Sequence, residues 1–172
     1  MIKNTKPVML IFAVAALLGA ALHFLYHLLP ILPFAVLAPV DESLFQHLKL
    51  LYWPVLLAAL VLKKKEGQSV RPRLLGLLLS SALMLVVGWV YHITLGGSSL
   101  LFDITLYVLL MFFALLLFPA LCRGEQTGKL WDAAVYLTVV LGVLLVLFTF
   151  FPPNHLLFYD LSGANTWSVL PC

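Results

Sequence analysis

Residues 39–53 read PVDESLFQHLKLLYW. Asp41, Glu42, Ser43, Gln46, His47 and Lys49 crowd the mouth of a segment that then runs apolar to Leu62, and ionisable groups inside a bilayer are costly unless paired or functional. Just before this stretch, ILPFAVLA between Pro30 and Pro39 is too short to span and reads as a connector at the outer interface. Just after it, KKKEGQSVRPR at residues 63–73 carries five basic residues and one acid, the strongest topological mark in the chain. Asp41 or Ser43 can cap the helix that begins here, and Glu42 suits its positive N-terminal end. Pro54 should kink that helix or rest where neighbouring helices absorb the freed carbonyl.

Outward from this segment, apolar runs of bilayer length recur. They predict an all-α integral membrane bundle of five transmembrane helices, at about 7–29, 43–62, 74–95, 101–121 and 130–150, with an outer tail over 151–172. The whole chain, 1–172, reads as a single membrane domain. Hydrophobic residues make up 63% and charged ones 10%, whereas soluble domains are roughly half apolar and about a quarter charged. A signal peptide is the competing reading of the first run, with Gly19-Ala20-Ala21 as a cleavage site, but the run continues apolar beyond it.

With the 63–73 loop on the cytoplasmic side, nine of the ten basic residues lie inside, Lys49 being the exception. The N-terminus is then in and the C-terminus out. The net charge of +3 marks topology and gives no basic face for nucleic acid. Cys122 and Cys172 fall on opposite sides, which argues against a disulfide between them. Neither GxGxxG nor GxxxxGK[ST] occurs, so a nucleotide cofactor has no sequence support.

This orientation gathers all five histidines on the outer side, together with Asp41, Glu42, Asp103 and Asp160. His23 and His27 are one helical turn apart, above the small residues Gly19, Ala20 and Ala16 that permit close helix approach. Glu42, Gln46, Lys49 and Trp53 form one expected stripe of the second span, and Ser43 and His47 the next. His92 closes the third span and Asp103 opens the fourth. His23 and His27, with His47 or His92, can supply the imidazoles of a zinc site or another divalent-metal site, and Glu42 or Asp103 a general base. The spacing equally fits histidines buried at helix interfaces. Lys49 reads first as the ion-pair partner of Glu42, with a catalytic lysine as the alternative. No HExxH is present.

PVDESLFQHLKLLYWP resembles the core motif V-[DN]-E-S-x-x-[EQ]-H-L-K-L, followed by an aromatic residue and Pro, of a family of small uncharacterised bacterial multi-pass membrane proteins, a domain of unknown function. The resemblance extends to His23 and Tyr26 and to the tail residues His155, Tyr159 and Asp160. Gln46 stands where relatives are expected to carry an acid, and the Tyr-Gly ending of the tail is missing. The resemblance implies residues to watch, Glu42, Ser43, His47 and Lys49, and no reaction. A looser likeness to membrane-bound metal-dependent hydrolases rests on the histidines and acids at helix ends.

The expected function is therefore a membrane hydrolase with a divalent metal, acting at the outer leaflet on a lipid or small-molecule ligand, with Glu42, Ser43, Lys49 and Asp103 as catalytic candidates. The alternative is a non-enzymatic binder, carrier or accessory subunit in which Glu42 and Lys49 form a structural pair.

Overall fold

The computed structural model describes residues 5–122 and 124–162, and its described secondary structure is helical throughout. Lys3, Arg123, Trp167 and Cys172, with the end of the tail, lie outside these residues. Among the described residues, five helices are long and apolar enough to cross a membrane. They comprise α1 (Thr5–Leu28), α3 (Leu44–Glu66), α4 (Arg71–Gly88) with a π-helical turn at Trp89–Thr94, α5 (Leu100–Phe112) running through a second π-turn at Phe113–Leu117 into α6 (Phe118–Leu121), and α7 (Lys129–Phe150). A short helix, α2 (Leu32–Leu37), fills the connector between α1 and α3.

The helix bounds follow from local chemistry. α1 stops just ahead of Pro30, which cannot supply the next backbone donor. Ser43 caps α3 by accepting a hydrogen bond from Gln46 N at 3.4 Å, while Asp41 Oδ1 accepts from Ser43 N at 3.0 Å. At the far end Gly67, with φ of 63°, donates to Lys63 O at 3.1 Å and closes the helix, behind three lysines that suit its negative C-terminal end.

α3 is the centre of the bundle. Within the protein 67% of its apolar window is buried, against 22–33% for the other four long helices, which turn much of their surface outward. Its Leu48, Leu51 and Val55 are fully enclosed, and Met111, Ala114 and Leu145 pack into the same core. Gly19 lets α1 press against it: a Cβ there would lie 2.6 Å from Leu50 O and closer still to the Tyr107 hydroxyl. Leu50 O is the carbonyl that Pro54 deprives of its helical partner. Hydrogen bonds from side chains to backbone carbonyls join the helices. Tyr107 donates to Ala16 O at 2.9 Å, Ser80 to Leu110 O at 3.1 Å and Tyr52 to Thr138 O at 3.1 Å.

The two ends of the bundle differ in chemistry. At the basic end, Arg71 reaches the α6–α7 loop and α7, donating to Gln126 O at 2.7 Å and Asp132 at 2.8 Å. The opposite end carries the histidines. There the chain after α7 folds back as a short 3₁₀ turn (Leu156–Phe158), seating Phe158 against Phe45 and Phe148 at ring separations of 4.6 and 5.4 Å.

Candidate metal centre

Three histidines converge on Glu42. Its Oε1 faces His23 Nε2 at 3.9 Å and His27 Nε2 at 3.7 Å, and its Oε2 faces His47 Nε2 at 3.2 Å. The last turn and a half of α1 supplies the first two imidazoles, the first turn of α3 supplies the third, and the bend before the Ser43 cap holds the carboxylate between them. His23, Glu42 and His47 retain 28%, 30% and 23% of their side-chain exposure and His27 60%, so His27 forms the rim.

The distances discriminate between two kinds of contact. At 3.9 and 3.7 Å the carboxylate lies beyond hydrogen-bond range of His23 and His27. Donors bound tetrahedrally to an ion such as zinc sit about 3.4 Å apart, because each bond is about 2.0–2.1 Å long. The observed separations straddle that value, and the ligating atoms of His23, Glu42 and His47 all lie within 4.8 Å of one another. His47 is oriented in the manner of a metal ligand, with Nδ1 2.8 Å from Ser43 O, so that the Nδ1–H donates to the backbone and Nε2 turns towards the carboxylate. Two acceptors then face each other at 3.2 Å unless a proton or a metal cation lies between them. Hydrogen bonding from His47, helped by the charge of the three imidazoles, outweighs burial and holds the Glu42 carboxyl down at about 2. The residues present fit a divalent ion with nitrogen and oxygen donors.

The remaining candidates take other places. His92, on the π-turn that ends α4, is turned to Asp103 at 2.9 Å and to Gly97 O at 2.9 Å, and forms a separate pair between α4 and α5. Ser43 is fully enclosed as the cap of α3 and lends its carbonyl to His47. Lys49 does not pair with Glu42. It is fully buried, and its ammonium donates to Ala35 O at 2.6 Å and Ala38 O at 3.0 Å. The expected stripe assumed that Glu42 lies on the helix; α3 starts at Leu44, so the residue seven places before Lys49 is off its face. One turn further along, Trp53 donates to Val36 O at 3.2 Å. Lys49 and Trp53 together hold the free carbonyls at the C-terminal end of α2, where a cation is favoured.

Sequence reasoning missed this clasp on α2 and the His92–Asp103 pair. A signal for the first was present: Ser43-x-x-Gln46 has the form of a capping box, which places the helix start at Ser43 and excludes Glu42. The tail, expected either as solvated or as a lid, is docked through Phe158, and His155 lies against Trp89 at 5.8 Å, away from Glu42.

Four apolar helices around a buried central one, with a histidine–carboxylate cluster at one end, define a helical protein suited to a membrane. The chain belongs to DUF6512, a family of unknown function whose model matches residues 1–166. No curated protein and no solved structure matches it.

Proposed function

We propose that this is a multi-pass protein of a bacterial cytoplasmic membrane, N-terminus inside, in which His23, Glu42 and His47 bind zinc or a similar divalent metal near the outer face, and that it acts as a metal-dependent hydrolase. The observation that carries this reading is the convergence of His23, Glu42 and His47, whose ligating atoms all lie within 4.8 Å of one another with His23 Nε2 at 3.9 Å from the carboxylate, too long for a hydrogen bond and suited to a bridging cation. The orientation draws support from the separation of the basic end from the histidine end.

Three protein donors and a free position are the pattern of catalytic rather than structural zinc sites. When bound, such an ion supplies a Lewis acid that polarises a carbonyl and eases the ionisation of water. Glu42 has an imidazole at each oxygen, which favours a ligand role over the general-base role its sequence position suggested. That leaves Asp103, the other base the sequence offers, for the proton: it is 41% exposed, and His92, fixed by Gly97 O, holds one of its oxygens. The base is then Asp103, and His92 positions it.

One observation favours a second, non-enzymatic reading as a metal binder or carrier. His27 stands 3.7 Å from the same Oε1 and as a fourth ligand would close the site. The cobalt(II)-loaded protein separates the two. An open site gives a visible spectrum that changes on adding acetohydroxamic acid and survives His27→Ala. A closed site gives a spectrum indifferent to the hydroxamate and altered by the substitution.

A further inference from the structure

The hydrogen bonds around His92 do not balance with a single ring proton. Nδ1 lies 2.9 Å from Gly97 O, and Nε2 lies 2.9 Å from Asp103 Oδ1. A carbonyl and a carboxylate both accept, whereas a neutral imidazole donates from one nitrogen only. With one proton on the ring, a lone pair therefore faces an oxygen at one of the two contacts. A second proton, on the ring or on the Asp103 carboxyl, turns both contacts into hydrogen bonds.

These two contacts hold the turn between α4 and α5. Tyr91 and His92, neighbours on the π-turn that ends α4, grip it together. Gly97 N donates to Tyr91 O at 2.8 Å, Ser99 N donates to the Tyr91 hydroxyl at 3.2 Å, and the Tyr91 ring stacks on Phe102 at 3.7 Å. A Cβ on Gly97 would run into the Tyr91 ring, so the turn is drawn tightly over it. Residues 96–99, Gly-Gly-Ser-Ser, bring no ionisable side chain of their own. The other histidines at this end are engaged elsewhere, His23, His27 and His47 around Glu42 and His155 against Trp89. Asp41 and Asp160 accept from Ser43 N and Ser162 N. Among the described residues, Asp103 is the one carboxylate in ion-pair range of His92.

We infer that His92 and Asp103 form a proton-binding clasp on the α4–α5 turn, closed while the pair holds its second proton and released as rising pH removes it. The departing proton passes to water at the partly exposed Asp103 carboxyl. The clasp requires neither the metal nor the hydrolase reading.

The test is amide hydrogen exchange of the full chain in mild detergent, read at Gly97 as a protection factor, in which the intrinsic effect of pH on exchange cancels. Losing a hydrogen bond of this charged kind shifts an opening equilibrium by about 10–100-fold. Protection at Gly97 should fall by about that factor as the pH is raised, while Leu51 in the core of α3 keeps its own. Glu42→Gln, which disables the metal cluster, should show the same response. In Asp103→Asn the side-chain amide can donate to Nε2 while Nδ1–H serves Gly97 O, so a neutral ring satisfies both contacts and protection should stay high at every pH. A wild-type protection at Gly97 that does not change with pH, or an unchanged response in Asp103→Asn, overturns the inference. A response lost in Glu42→Gln overturns it too, because the proton would then belong to the metal cluster.

Discussion

Glu42 offers one oxygen to two imidazoles and the other to a third, so its carboxylate is the joint on which the cluster turns. Glu42→Gln removes the charge and keeps the shape. Metal affinity should fall by more than the 10–100-fold that losing an outer-shell partner costs, read by competition with a chelating dye, while the helix content stays intact. Lys49 has the opposite character. Its substitution by Met leaves the carbonyls of Ala35 and Ala38 without their buried partner, at about 1–3 kcal/mol for each unsatisfied group. Lys49→Met should therefore lower stability by about 2–4 kcal/mol in a detergent unfolding series and leave metal affinity unchanged. Parallel loss of metal binding in folded Lys49→Met protein would mean that the lysine belongs to the site.

At the scale of elements, close helix contacts are where backbone matters most. A Cβ at Gly19 meets the backbone oxygen of Leu50, which cannot swing away, whereas at Gly142 it meets the tip of the Tyr52 side chain, which can. Gly19→Ala should cost about 1–3 kcal/mol, the range for overpacking, and more than Gly142→Ala in the same unfolding assay. Equal effects would show that α1 and α3 are not held at this contact. The five long apolar helices were legible in the sequence because long apolar runs and short charged loops leave such a chain few alternatives, and the structure departs from the expected bounds mostly by a few residues, as where α3 continues past Leu62 to Glu66. The meeting of His23, His27, His47 and Glu42 at one end was also legible, from helix direction alone. Finer placement was not. The π-turn at Trp89–Thr94 turns His92 towards Asp103, and no pattern of apolar residues announces a wider turn. The clasp of Lys49 and Trp53 on α2 depends on how a connector folds back over α3, a tertiary fact that residue spacing does not encode.

For the whole molecule, the proposed orientation has the basic end inside and the metal-binding end outside. In a chain whose own cysteines are replaced by serine, Ser69→Cys should react with a membrane-impermeant thiol reagent only after the inside is opened, and Asn154→Cys from outside directly. The reverse pattern would invert the orientation and move the site to the inner leaflet. The central claim is narrower: His23, Glu42 and His47 hold an ion, and His92 belongs to a separate pair. Metal content per chain, by elemental analysis of protein purified in mild detergent without an affinity-tag metal, tests it most directly. The prediction is about one zinc or similar ion per chain, lost in His23→Ala and Glu42→Gln and retained in His92→Gln. Absence of metal even after adding it back, or equal content in all variants, would contradict the account.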